Sequence, residues 1–285
     1  MRILLFGASG QVGSQLRKIL SPLETIRVCN RKEADLENAE QLKKIIKNYR
    51  PQIIINAAAY TAVDQAELEP KKAYRINSEA VSVIAQEGKK LNALLIHYST
   101  DYIFDGIQVE PYTEEDQPNP QSIYGKSKWE GEQAIIKSEV KYLIFRTSWV
   151  YALKGRNFLN TILELAKKRK ELNIIDDQVG APTTVNLIAN ITVQAIEKKI
   201  QSGIYNLTTS GSISWYGFAK EIMKYTIKQD NNVKLTPVFA EQYPQLAIRP
   251  KNSKLNITKL QEALNVILPT WQQELKRTMF LIENL

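Results

Sequence analysis

Short apolar runs recur along the first half of this 285-residue chain, and each leads into a stretch of helical periodicity. The runs are RILLF at 2–6, IRVC at 26–29, IIIN at 53–56, ALLIHYS at 93–99 and KYLIFRTS at 141–148. Helical patterns cover 11–20, the region near 39–49, about 71–90 and about 123–137, while Asp101 to Ser122 reads as a long polar loop. A strand without regular polar alternation is buried on both faces, and strands that each feed a helix build a parallel sheet covered by helices. The expected fold is therefore α/β, with a doubly wound parallel sheet and right-handed crossovers. Ligands of such sheets lie beyond the carboxyl ends of the strands. The loops after residues 6, 29, 56, 98 and 148 should line one crevice.

After residue 150 the alternation loosens. The patterns predict a helix at 157–170, a short strand near 172–175, a helix at 184–200, a strand at 203–207 and a helix at 214–228. The tail carries Pro237, Pro244, Pro250 and Pro269. The expected division is a dinucleotide-binding domain of residues 1–149 plus about 183–207, and a smaller C-terminal substrate lobe of about 150–182 and 208–285.

The net charge of +8 fits either an anionic partner or a Lys-rich solvated surface. The densest run, Lys167 to Lys170, falls within the helical pattern LNTILELAKKRKEL and reads as a solvated helix face. No basic–aromatic stripe points to nucleic acid. Cys29 is the sole cysteine and His97 the sole histidine, which leaves no intrachain disulfide and no zinc cluster. No G-x-S-x-G accompanies His97, so the acid–base chemistry is expected elsewhere. Apolar runs fall far short of the ~20 residues that span a bilayer. With no leader pattern before the strand at Arg2, a cytoplasmic location is expected.

The first strand runs into Gly7-Ala8-Ser9-Gly10-Gln11-Val12-Gly13 and then directly into a helix. Glycines let backbone approach a pyrophosphate, and a helix N-terminus supplies N–H donors and a positive dipole end. The spacing is G-x-x-G-x-x-G, in the strand–turn–helix setting of a Rossmann dinucleotide site. At the end of the second strand, where an NAD site usually places a carboxylate, stand Asn30, Arg31 and Lys32. Two cations there could pair with a 2′-phosphate, so NADPH is expected, with NADH as the alternative.

Within SIYGKSKWEGE, Tyr124 and Lys128 share one face at the start of a helix. Reducing a ketone requires a proton on oxygen as well as hydride on carbon, and a positioned acid supplies it. A free phenol titrates near ~10, and a neighbouring ammonium would favour the phenolate. A Tyr and a Lys at helical spacing are more often a packed ring beside a solvated amine. Here they lie downstream of a phosphate cradle and of a strand ending in Ser99 and Thr100, whose hydroxyls could hold a substrate oxygen beside the tyrosine.

Together these residues resemble the extended short-chain dehydrogenase/reductases, and more narrowly a sugar-nucleotide reductase group. The similarity runs nearly end to end, through LLFGASGQVG, INAAAYTAVDQAE, HYSTDYIF, YGKSKWEGE, FRTSWVYA, DQVGAPT and RPKNSKLN. It implies reduction of the C4 ketone of dTDP-4-dehydro-L-rhamnose, with Tyr124 as proton donor assisted by Lys128 and Thr100. It further implies cofactor contacts at Gly10, Gln11, Val12, Asp35, Leu36, Ala59, Tyr60, Thr61 and Tyr98. Substrate contacts would come from Thr100, Asp101 and Trp149, with Arg249 on the diphosphate. Some members of the group bridge subunits through magnesium held by a Glu. The matching residue here is Gln15, a poor ligand for a hard cation, so no metal is expected and any homodimer would form otherwise. Competing readings are a related epimerase or dehydratase, or a non-catalytic regulatory subunit like that of methionine adenosyltransferase.

Overall fold

A computed structural model describes residues 1–22, 25–225 and 233–283. Its first half alternates as the patterns predict: β1 (Arg2–Phe6), α1 (Gln11–Leu20), β2 (Thr25–Cys29), α2 (Ala39–Tyr49) and β3 (Ile53–Asn56). Next come α3 (Val63–Leu68), α4 (Pro70–Tyr74), α5 (Ala80–Lys90), β4 (Leu94–Thr100), α6 (Ile123–Ser138) and β5 (Lys141–Thr147). Beyond them lie β6 (Val150–Tyr151), α7 (Phe158–Ala166), β7 (Glu171–Ile175), β8 (Val179–Gly180), β9 (Thr183–Thr184), α8 (Val185–Lys198) and β10 (Gly203–Asn206). The chain ends with β11 (Ile213–Ser214), α9 (Trp215–Lys224), β12 (Lys234–Val238), β13 (Asn252–Ser253), α10 (Thr258–Leu264) and α11 (Trp271–Glu283).

The central sheet has the order β2-β1-β3-β4-β5-β10, and every neighbouring pair is parallel. The chain steps from β1 outward to β2 and then returns to the other side as β3, so the topological switch lies between β1 and β3. Successive β1 side chains explain the two layers. Ile3 and Leu5 pack into one core with Leu16 of α1 and Ile188 and Ile191 of α8. Leu4 and Phe6 pack into the opposite core with Leu42 and Ile46 of α2 and Val81 and Ile84 of α5. Burying each such side chain contributes roughly 1.5–3 kcal/mol.

The predicted helix over 71–90 is interrupted by a π-helical turn at Arg75–Glu79. Its Asn77 carboxamide bonds the backbone of Tyr60 and the hydroxyl of Ser127, anchoring the loop after β3 to α6. The helix predicted at 157–170 stops at Ala166. Lys167 to Lys170 are solvated, as expected, but in a turn and not on a helix face. They offer no apolar stripe to bury, and β7 begins at Glu171. For the helix predicted at 214–228, positions 226–228 lie outside the described residues.

The second half forms its own core from Tyr151, Leu159, Ile162, Leu172, Phe218, Trp271 and Leu275. β12 pairs in parallel with β7, placing Pro237 opposite Ile174. The tail then returns to the main sheet, where Asn206 of β10 donates to the carbonyls of Tyr112 and Asn256. No helix among the described residues is long and apolar enough to cross a membrane.

Candidate active site

The crevice opens at the carboxyl ends of β1 to β5 and has a volume of about 620 Å³. Its floor is the glycine turn. Gly7 has φ +77°, and a Cβ on it would lie 2.5 Å from the backbone nitrogen of Ala58, so only glycine lets the loops after β1 and β3 meet. A Cβ on Gly13 would stand 2.2 Å from the Gly7 carbonyl oxygen, which brings α1 close against the turn. No side chain caps α1, and its first turn holds no acidic residue, so its positive end faces the crevice unopposed. These features fit a pyrophosphate.

Most of the residues singled out in the sequence line this crevice: Gly7, Gly10, Gln11, Val12, Asn30, Arg31, Asp35, Leu36, Ala59, Thr61, Tyr98, Thr100, Asp101, Tyr124, Lys128 and Trp149. Tyr60 and Arg249 are not among the lining residues. The Tyr60 phenol turns away to the Glu69 carboxylate at 2.6 Å, and desolvation and that carboxylate push it up to about 12. The Arg249 guanidinium clasps Asp64 with contacts of 3.0 and 2.5 Å, next to Tyr102 in the wall. Asn30 shapes the turn after β2, its side chain accepting from the amides of Lys32 and Glu33. Arg31 is not free of carboxylates: Glu37 lies 3.1 Å and Asp35 3.9 Å from it. Gln15 donates to Asn186 of α8, and no cluster of potential metal ligands occurs among the described residues.

Ser122 caps α6 by accepting from the Gly125 amide, fixing the helix start that carries Tyr124. The half-buried Tyr124 ring meets Tyr102 edge-on at 5.5 Å. Desolvation pushes its phenol up to about 12, with the Thr100 hydroxyl bond opposing and the Asp101 carboxylate adding to the rise. Lys128 follows one turn later on α6. Its ammonium is turned toward β4, donating to the Tyr98 carbonyl at 2.6 Å beside His97 Nε2 at 3.1 Å. Burial pulls the Lys128 amine down to about 8.

This depressed lysine has a cost. The unfolded chain binds more protons than the folded one between about pH 8 and 10, so folding stability rises with pH across that window, and the full penalty stands below it. Replacing Lys128 with Met should therefore stabilise the fold near pH 7, by roughly 3 kcal/mol. Denaturant unfolding of both proteins at pH 7 and pH 10 checks this, and the gain should shrink at the higher pH.

Sequence reasoning also missed residues of the wall, among them Tyr102, Thr147, Ser148 and Arg156. Ser99 Oγ, Asp101 Oδ2 and Thr147 Oγ1 are buried there without a hydrogen-bond partner among the described residues. Buried polar atoms are nearly always paired, so three orphans in one crevice fit a polar, hydroxyl-bearing ligand. Burial lifts the Asp101 carboxyl to about 6. Trp149 holds a left-handed backbone with φ 49°, and its ring is stacked 3.4 Å from Trp215 and wedged against Gly180. Backbone of that kind costs about 1–3 kcal/mol and persists where the surroundings enforce it.

A doubly wound parallel sheet, a glycine turn under the crevice and a Tyr/Lys pair on one helix define an NAD(P)-dependent oxidoreductase of the extended short-chain dehydrogenase/reductase class. Within it the chain belongs to the family described as the RmlD substrate binding domain, whose model matches residues 1–283. It is 43% identical to the dTDP-4-dehydrorhamnose reductase of Escherichia coli K12, over 98% of this chain and 97% of the relative. The crystal structure of a dTDP-4-dehydrorhamnose reductase from Clostridium acetobutylicum superposes with a TM-score of 0.94 at 37% identity, covering 99% of this chain and 100% of that one. A dTDP-4-dehydrorhamnose reductase from Bacillus anthracis, solved in complex with NADP, gives a TM-score of 0.92 at 38% identity over 98% of both chains.

Proposed function

We propose that this chain reduces the C4 ketone of dTDP-4-dehydro-L-rhamnose to dTDP-L-rhamnose, using NADPH. The observation that carries this reading is a phenol and a lysine amine sharing one crevice, beside the buried Thr100 hydroxyl and above a glycine turn suited to pyrophosphate. The names of the relatives support the substrate.

The turn Gly7 to Val12 would hold the cofactor's diphosphate, and the loop after β2 its adenosine end, with Arg31 on the 2′-phosphate. Bound there, the reduced cofactor would supply the hydride that the carbonyl carbon needs. Tyr124 gives its phenolic proton to the carbonyl oxygen. Thr100, whose hydroxyl donates to Asp101 Oδ1 in this structure, would favour the phenolate left behind by turning that hydrogen onto it. Asp101 and Thr147 offer unpaired oxygens to the sugar hydroxyls, and Trp149 offers an aromatic face. Residues of about 150–182 and 208–285 would form the substrate lobe. Arg249 would have to exchange Asp64 for a diphosphate to serve there.

The test is loss of reduced-nicotinamide absorbance when purified protein meets a panel of 4-keto sugar nucleotides with either cofactor. Oxidation with the dTDP-linked 4-keto sugar is expected, and a silent protein across the panel would refute the proposal. For cofactor choice, Arg31→Ala should raise the KM for NADPH about tenfold, the worth of one charge-assisted pair, and leave NADH nearly unaffected. Equal changes with both cofactors would remove Arg31 from the 2′-phosphate.

A further inference from the structure

The only histidine of the chain is wholly buried at 0% exposure, immediately before the stretch of β4, Tyr98 to Thr100, that lines the crevice, and no step above uses it. It sits in register with Asn56 of β3. The Asn56 carboxamide oxygen accepts from the Ala58 amide at 3.2 Å, which leaves its NH₂ group facing His97 Nδ1 at 3.2 Å. An amide NH₂ can only donate, so Nδ1 must offer its lone pair. A neutral imidazole then carries its proton on Nε2, and that N–H points at Lys128 Nζ, 3.1 Å away.

An ammonium has no lone pair to accept this bond, whereas a neutral amine has one. The Nε2–H group therefore opposes the charged lysine and welcomes the neutral one. The other groups around Lys128 do not reverse that preference. Tyr98 of β4 contributes a carbonyl that accepts one lysine hydrogen. Glu132, one turn further along α6, favours the ammonium, but less than burial opposes it, and its carboxylate is held by Arg146 of β5 in a buried pair.

We propose that His97 is a positioning residue which, held by Asn56 as its Nε2–H tautomer, donates to Lys128 and makes that lysine a proton reservoir that empties readily. This rests on the reductase reading above. Once the Tyr124 proton has passed to the substrate oxygen, a proton relayed from Lys128 through the crevice that both side chains line would restore the phenol. The neutral amine that remains accepts the imidazole N–H until water returns a proton to it. No electron moves in these steps, and the imidazole keeps its own proton throughout. Burial, which lowers the basicity of both Lys128 and His97, acts in the same direction.

A single histidine makes the experiment direct. Nitrogen-15 spectra of histidine-labelled protein, without substrate, distinguish a protonated from a bare ring nitrogen at each position. The proposal expects Nε2–H and a bare Nδ1, unchanged between pH 6 and 9. An Nδ1–H tautomer, or an imidazole that protonates in the ordinary range near ~6.5, would overturn it. Asn56→Asp should present a carboxylate to Nδ1, move the proton there and turn Nε2 into an acceptor for the ammonium. The alkaline midpoint of NADPH oxidation should then rise by about one pH unit or more. A switched tautomer with an unmoved midpoint would sever His97 from Lys128 and overturn the proposal. If that variant fails to fold, the wild-type spectrum still decides. An inactive protein with the Nε2–H tautomer would refute the reductase reading alone, and an active one with Nδ1–H would refute this inference alone.

Discussion

Tyr124→Phe is expected to cut kcat by about 10²–10⁴, the usual contribution of a positioned general acid. The change removes one oxygen from a half-buried ring whose edge-on contact with Tyr102 can persist, so the fold should survive intact. NADPH affinity should change little, because the pyrophosphate and adenosine ends rest on the glycine turn and the loop after β2. Steady-state kinetics with an independent cofactor titration separates the effects. A loss confined to KM would make the phenol a binding group and not the acid.

The second large effect concerns stability. Arg146 and Glu132 are paired at 2.8 Å with side chains 3% and 0% exposed. The guanidinium also donates to the Glu114 carbonyl and lies over the Phe104 ring. Arg146→Met should destabilise the protein by about 3–5 kcal/mol, because Glu132 is left as an unpaired buried charge. The double variant Arg146→Met with Glu132→Leu should recover most of that loss, since apolar replacement of a buried pair is often neutral. Urea unfolding of the two variants checks both statements. The single variant should also raise the basicity of Lys128, since the freed carboxylate sits one turn along the same helix.

The sheet was legible because β1, β3 and the first half of β4 carry apolar residues on both faces, and each strand is punctuated by a turn and a helix start. The tail was not. β12 contains Pro237, which reads as a strand breaker, yet it pairs only with β7 in a two-stranded sheet where a missing N–H is tolerated. α10 and α11 lie among prolines and owe their place to packing against β10 and the second core. At the site, the glycine turn and the Tyr124/Lys128 spacing were legible as patterns tied to local geometry. Which way Lys128 turns was not, since His97 and the Tyr98 carbonyl draw it toward β4. The stack of Trp149 on Trp215 joins segments distant in sequence, and no local pattern announces it. The partnering of Arg31 by Glu37 and of Arg249 by Asp64 likewise depends on the folded chain.

The central claim is that the Tyr124 phenol delivers the proton in the crevice floored by the glycine turn. A crystal structure of the protein with NADP and dTDP-L-rhamnose tests it most directly. The account predicts the Tyr124 hydroxyl within hydrogen-bond distance of the sugar O4, Lys128 on the same side of the nicotinamide, and the diphosphate of the cofactor on Gly10 to Val12. A sugar bound with O4 directed at another acid, or a nicotinamide remote from Tyr124, would contradict it.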